Sequence, residues 1–487
     1  MRDLNRGIGG LVRTSSLLFA CLAHEALATD GYFDSTWAGG GRITFAGDPT
    51  TSGSGGRQII ATSSGDLLLG GAVMPDATTD YWWIGKLSTS GSPAVTFGES
   101  NGSGVVTSCY LTANLCNAFY AGFDQMAIQS DGSIVVMGTD NIARMPAQAH
   151  AFDTSSVAGQ TGYANVLDVQ INDVKGFLDE AHGMVQLSSG QWLVAGTGYY
   201  SQINSGPRFV VMRLNSDFSL DTTFNNVVDS NSVTFAGGQV VEFGINGYDN
   251  AEARTILLQS NGSILLLGNT QQKASGYAMV PAIVRLNANG SIDTSYGGTG
   301  KVTLPWTSGD VYFSGGPDYA KFDGSGRLVL LADAIATGQT MNQWAVLRVL
   351  SNGNPDTSFG NQGIAIYNPA ICTSGTLPAA LAFDSAGRIL VIADCFTSTT
   401  TIFVVERLFG DDGTLDTSFG AGGFSYGSFS ASSTYSYGSD IAFDAGGHLL
   451  LIGASSGFNG VGVARLTYDL VFTNSFELAP RGRLPGQ

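Results

Sequence analysis

Three phrases, each recurring seven times, predict an all-β chain folded as a seven-bladed β-propeller with four-stranded antiparallel blades. The first is an apolar strand, a tight turn and a second apolar strand, with turn glycines Gly65, Gly132, Gly190, Gly262, Gly326, Gly387 and Gly447. Runs such as Ile128-Gln-Ser-Asp131-Gly132-Ser-Ile134-Val-Val136 read as hairpins whose turns need positive φ. The second phrase is a strand ending in a basic residue and an apolar one, at Lys86, Arg144, Arg213, Arg285, Arg348, Arg407 and Arg465. The third is clearest at Ile292-Asp293-Thr294-Ser295-Tyr296-Gly297, Pro355-Asp356-Thr357-Ser358-Phe359-Gly360 and Leu415-Asp416-Thr417-Ser418-Phe419-Gly420. Looser copies start at Phe33, Ala94, Phe152 and Leu220.

Each repeat of about sixty to seventy residues therefore supplies a hairpin, a basic-ended strand and an outer strand after the third phrase. One such sheet cannot cover both of its apolar faces; packing seven radially covers them all. A β-solenoid would need much shorter repeats. The phase of the repeat also predicts how the ring closes. The chain opens on the third phrase and the strand 42–45, and ends on the basic-ended strand 461–466. The N-terminal strand should complete the last blade, remove an exposed edge and bring Asp34 to Arg465.

A chain of 487 residues would ordinarily divide into several domains, a prior that repeats override. With 67 Gly, 43% hydrophobic and 13% charged residues, the composition suits many short strands around a large core. The net charge of −17, with no basic stripe, excludes nucleic acid as a partner. Residues 1–28 read as a signal peptide: Arg2, Arg6 and Arg13, an apolar run from Leu17 to Ala23, and the A-x-A site Ala26-Leu27-Ala28. A lipoprotein signal through Cys21 competes, with bulky Phe19 and a very short apolar run against it. Residues 29–466 are then the propeller and 467–487 a C-terminal tail. No other stretch is long enough for a membrane helix, so the expectation is an exported monomer, periplasmic or extracellular. Four cysteines remain after cleavage; Cys109 and Cys116 are close in one loop, and Cys372 and Cys395 flank one hairpin at the same blade edge, which favours these two disulfides over the two crossed pairings and over four free thiols.

These phrases resemble the delta-60 repeat β-propeller family of bacterial exported proteins, over about residues 30–466. The resemblance implies the fold and the repeat unit and carries no assigned chemistry. The second repeat departs from the pattern, with Ala94 where the phrase has Asp. The tail segment ending Phe476-Glu477 resembles a terminal phrase of some exported proteins of Gram-negative bacteria, as a packing plug, a sorting signal or neither.

The ring of basic residues looks like an anion site, but its regularity favours structure. Arg144 precedes Asp153, Arg213 precedes Asp221, Arg285 precedes Asp293, Arg348 precedes Asp356 and Arg407 precedes Asp416 by eight or nine positions. A guanidinium fork can satisfy a carboxylate and nearby carbonyls together. Gly98-Glu-Ser100-Asn-Gly102 and Gly453-Ala-Ser455-Ser-Gly457 match a hydrolase elbow in letters but lack the helix it requires. Turns at Asn287–Asp293 and Asp411–Gly413 faintly resemble calcium loops, without the closing Glu, so no cofactor or metal is expected beyond a weak calcium possibility.

Two features point to a site. Loops between blades are long and dissimilar, including 46–56, 108–122, 167–179, 227–250, 305–317 and 427–438, and all should emerge on one face. Eight residues before each hairpin glycine, where the innermost strand enters from that face, stand Arg57, Asp124, His182, Arg254, Asp318, Ala379 and Ser439. Five of the seven are ionisable and of mixed sign, as a polar funnel would be; solvation or pairing at strand ends explains them slightly better than a ligand site does. The sequence thus predicts a binding scaffold for a protein or glycan, with a propeller-type hydrolase or lyase at the channel mouth as the alternative.

Overall fold

The computed structural model describes residues 30–45, 53–76, 79–98, 104–107, 123–139, 141–145, 163–165, 178–199, 206–228, 234–243, 250–272, 278–306, 308–431, 433–455 and 460–468. Seven antiparallel sheets follow the chain in order, each led by one hairpin phrase. Blade 4 shows the pattern: Ala251–Leu258, Ile264–Gln272, Ala278–Leu286 and Lys301–Thr303 pair consecutively from the innermost strand outward. The hairpin glycines have φ between 75° and 86°, the left-handed region the tight turns demand. Among the described residues the single helical element is a 3-10 turn, Pro317–Tyr319.

Near-continuous burial of the central strands, as in Ile134–Gly138 and Ile389–Phe396, covers both faces of the sheets and builds the core between blades. Cluster after cluster joins strands of neighbouring sheets, as where Trp83 and Leu69 of blade 1 meet Leu450 and Val463 of blade 7. The disulfide Cys372–Cys395, with Cα atoms 5.0 Å apart, ties the segment entering blade 6 to the end of its second strand. Cys109 and Cys116, residues 1–29 and residues 469–487 lie outside the described residues.

The third phrase is an inter-blade bolt. Asp356 Oδ1 accepts from Ser358 N and Oγ, 3.1 and 2.6 Å away, while Oδ2 accepts from Arg348 Nε at 2.8 Å. The guanidinium lies 4.4 Å from the Phe359 ring centroid and donates to Asp411 O of the next blade at 2.8 Å. Arg213–Asp221, Arg285–Asp293 and Arg407–Asp416 repeat the pair at 2.8 Å. Arg407 also reaches Asp30 at 2.8 Å. Lys86, facing Ala94, pairs with Asp66 instead, at 2.9 Å. Arg144 lies over the Phe218 ring and bonds Ser216 O; Asp153 is outside the described residues.

The ring closes through the N-terminus. Arg42–Phe45 is the outer strand of blade 7, pairing Arg42 with Ala464 and Phe45 with Val461. Arg465 Nη2 donates to Asp34 Oδ2 at 2.6 Å and Nε to the same oxygen at 2.9 Å. Burial works against it, but hydrogen bonds from Thr36 and the Arg465 charge hold the Asp34 carboxyl below its usual value.

Two predicted loops contain strands. Part of 227–250 forms a small hairpin, Asn226–Val228 with Thr234–Ala236, and the outer strand of blade 3, Gly238–Val241. In 305–317 the strand Gly309–Tyr312 pairs with Leu328–Ala336, so the innermost strand of blade 5 is split, resuming at Ala320–Phe322. Between blades 5 and 6, Trp344 Nε1 donates to Glu406 Oε2 at 2.7 Å; Glu406 is fully buried, and burial pushes its carboxyl up to about 8.

Candidate functional site

In six blades the innermost strand carries a bulge, and the bulged residue is the one eight before the hairpin glycine. The register skips at Arg57, Asp124, His182, Arg254, Ala379 and Ser439. In blade 5 the 3-10 turn places Asp318 at the equivalent point. A bulge turns its extra residue out of the pleat, here toward the propeller axis. All seven line one cavity of about 880 Å³ at the axial mouth, within the range of ordinary ligand sites. The structure thus brings together every predicted funnel residue.

The next residue along serves assembly. Gln58 Oε1 accepts from Met126 N at 2.6 Å, Gln125 Oε1 from Met184 N at 2.7 Å, and Asp440 Oδ2 from Ile59 N at 2.9 Å. Each contact ties one innermost strand to that of the following blade. Across the axis, Gln58 Nε2 lies 3.5 Å from Asp318 Oδ2, and Asp318 pairs with Lys321 at 3.0 Å. Asp440, buried beside Asp318, is pushed well up by burial and by that neighbouring charge, with Lys321 opposing. Of these groups Gln58 and Asp318 line the funnel.

The walls differ in charge. Arg254 pairs with Glu252 beside His182, whose imidazole is held at about 4 by burial and by Arg254; it is neutral at neutral pH. In the next two blades stand two acids absent from the sequence-based candidates, Asp333 and Asp394, both in the cavity lining. Burial raises Asp333 to about 6 against a hydrogen bond from Ser314. Burial raises Asp394 to about 7, although Gly438 N donates to it at 2.7 Å and Arg57 draws it down. Between them Tyr319, its hydroxyl donating to Pro378 O at 2.6 Å, is raised by burial and by both acids. Leu377 and Tyr437, exposed at 37% and 39%, complete the rim.

Both acids occupy the seventh position after a hairpin glycine. The other blades put Ala72, Thr139, Thr197, Asn269 and Ala454 there. A polar residue ending an apolar run, as in Leu328-Val-Leu-Leu-Ala-Asp333, was the available signal.

Among the described residues no group of three His, Cys, Asp or Glu could hold a metal ion. Asn289 and Asp412, from the turns that resemble calcium loops, spend their oxygens on Ser291 and Thr414 of those same turns. Ser455 is buried at a strand end, away from any helix, and Ser100 lies outside the described residues.

Fold and site together define a seven-bladed β-propeller with a polar axial funnel. Residues 187–224, 259–296 and 325–359 match the family model described as "Domain of unknown function (DUF5122) beta-propeller", which supports a β-propeller family and assigns no activity. No curated protein matches the sequence. Among solved structures, a protein of unknown function from Dyadobacter fermentans is similar at 10% identity and TM-score 0.39, over 88% of this chain and 98% of that one. An α-L-arabinanase from Penicillium chrysogenum, complexed with arabinobiose, is 11% identical at TM-score 0.39, over 71% and 92%. A polysaccharide lyase is 11% identical at TM-score 0.43, over 85% and 90%. No helix of the described residues is long and apolar enough to cross a membrane.

Proposed function

We propose that this chain is an exported binding protein that takes a glycan into the axial funnel and against the loops around it. The observation that carries this reading is the convergence of six bulge residues and Asp318 of the 3-10 turn on one concave, mixed-charge cavity. A protein partner would need a broader face; a cavity of about 880 Å³ with a tyrosine rim and scattered donors and acceptors suits sugar rings and their hydroxyls. The test is a thermal-shift screen of residues 29–487 against soluble glycans, metal ions and chelator, since a ligand of the native state raises the melting temperature. Arg57→Ala is expected to abolish the shift produced by a glycan. Absence of any glycan shift, or one indifferent to Arg57 and Asp318, refutes the reading.

A propeller-type hydrolase or lyase at the same mouth is the second reading, favoured by Asp333 and Asp394. Acids held near neutral pH on one wall are suited to proton transfer. New reducing ends or unsaturated sugar products, lost in Asp394→Asn, would decide for it.

A further inference from the structure

The chain has six tryptophans. Trp37, Trp82, Trp83, Trp192 and Trp344 are at most 2% exposed, whereas Trp306 alone is only half-buried. It stands just before the split innermost strand of blade 5. Its ring packs on Gly309 so closely that a Cβ there would lie 2.7 Å from Cζ3, so glycine seats the indole. Trp306 lines a second cavity, of about 440 Å³, with Val311 and Ile335 at its base and exposed Asp310 and Gln339 at its rim. An accessible indole flanked by a carboxylate and an amide matches a pyranose ring, which stacks its C–H face and bonds through its edge hydroxyls.

One strand borders both cavities. Asp310 and Val311 of Gly309–Tyr312 border the Trp306 groove, and Tyr312 borders the funnel. Asp310 and Tyr312, two residues apart, share one face of the strand, which rises about 3.3 Å per residue. Groove and funnel are therefore roughly 7 Å apart along it, a separation that a short oligosaccharide covers.

We propose that the groove around Trp306 is a second carbohydrate subsite, continuous with the funnel along Gly309–Tyr312, and that the ligand is a polysaccharide held along its chain. This deepens the glycan reading and rests on it. The remaining tryptophans are buried, so acrylamide quenching of the intrinsic fluorescence reports on Trp306. The probes are laminarin, xylan, arabinan and alginate, with disaccharides of each, used on residues 29–487. Retention in affinity electrophoresis is measured alongside quenching. A polysaccharide that retains the protein is expected to shield the quenchable fluorescence. Trp306→Ala and Asp310→Ala should each weaken retention about tenfold, the size of one lost stacking or hydrogen-bonding contact. Trp306→Phe should restore part of it, and disaccharide binding in the funnel should persist. Asp310→Ala leaves the indole in place, so the test survives a fold defect in Trp306→Ala. Retention that ignores both substitutions, or leaves quenching unchanged, overturns this inference while sparing the funnel reading. Retention by none of the four, with no thermal shift, overturns both.

Discussion

Replacing Asp34 with Ala separates ring closure from ordinary blade stability. In the native chain Arg465 makes contacts of 2.6 and 2.9 Å to Asp34, and the two side chains are 13% and 8% exposed. Without the carboxylate, Arg465 keeps Asp444 at 3.5 Å and the Trp37 ring at 5.6 Å. Thr36 also loses the acceptor of its backbone N–H. Exposed pairs are worth up to ~1 kcal/mol, and breaking a buried one costs about 3–5 kcal/mol. Nearly buried Asp34 should fall between, at about 2–3 kcal/mol. Asp356→Ala, which strands a fully buried Arg348, should cost at least as much and is the control. Denaturant unfolding measures both. Hydrogen exchange then distinguishes them: Asp34→Ala should speed exchange in 42–45 and 461–466 by roughly 30–150-fold, at ~1.4 kcal/mol per factor of ten, whereas Asp356→Ala should leave those strands near native. The Asp34 carboxyl is held below its usual 3.8, so its contribution is present above that pH and fades as pH falls through the folded value. A cost under ~0.5 kcal/mol, typical of an unremarkable surface site, or acceleration spread evenly over all blades, would refute the closure argument.

Glu406 gives the opposite pH dependence. Its carboxyl rises from 4.5 to about 8, so its stabilisation is complete below 4.5 and is lost as pH climbs through about 8. At ~1.4 kcal/mol per pH unit, Glu406→Gln should be more stable than the native protein at pH 9 by a few kcal/mol, and melting curves from pH 5 to 9 check this. Reducing Cys372–Cys395, which closes a separation of 23 residues, should lower stability by about 3 kcal/mol, measured by denaturant unfolding with and without reductant. In the funnel, a ligand that needs ionised Asp394 should bind more tightly as pH rises through about 7, and Asp394→Asn should flatten that profile in calorimetric titrations; equal profiles would remove Asp394 from the site.

The seven hairpin glycines and basic-ended strands made the blades readable, because each phrase carries its own physical requirement: positive φ at the turn, a guanidinium over an aromatic ring. The funnel was half readable. Its first tier sits at a fixed distance from the glycine, but nothing local announces that Arg57 or His182 occupies a bulge, since the extra residue is defined only by pairing with the next strand. Asp333 and Asp394 were missed for a related reason. They end apolar runs, and only register shows that this pleat faces the axis. Gly309–Tyr312 read as loop because four residues bracketed by glycine, proline and serine carry too little alternation to count as a strand.

The closing strand also sets an order of events. Residues 42–45 are made first among the strands, yet their partners at 461–466 come last. Until then the opening segment has no edge to join, and the first and last blades each lack part of their covering. Joining them spans more than four hundred residues, the most entropically expensive loop in the molecule, although that cost grows only logarithmically with length. Such a propeller becomes resistant to unravelling from either end only once its first and last strands hold each other.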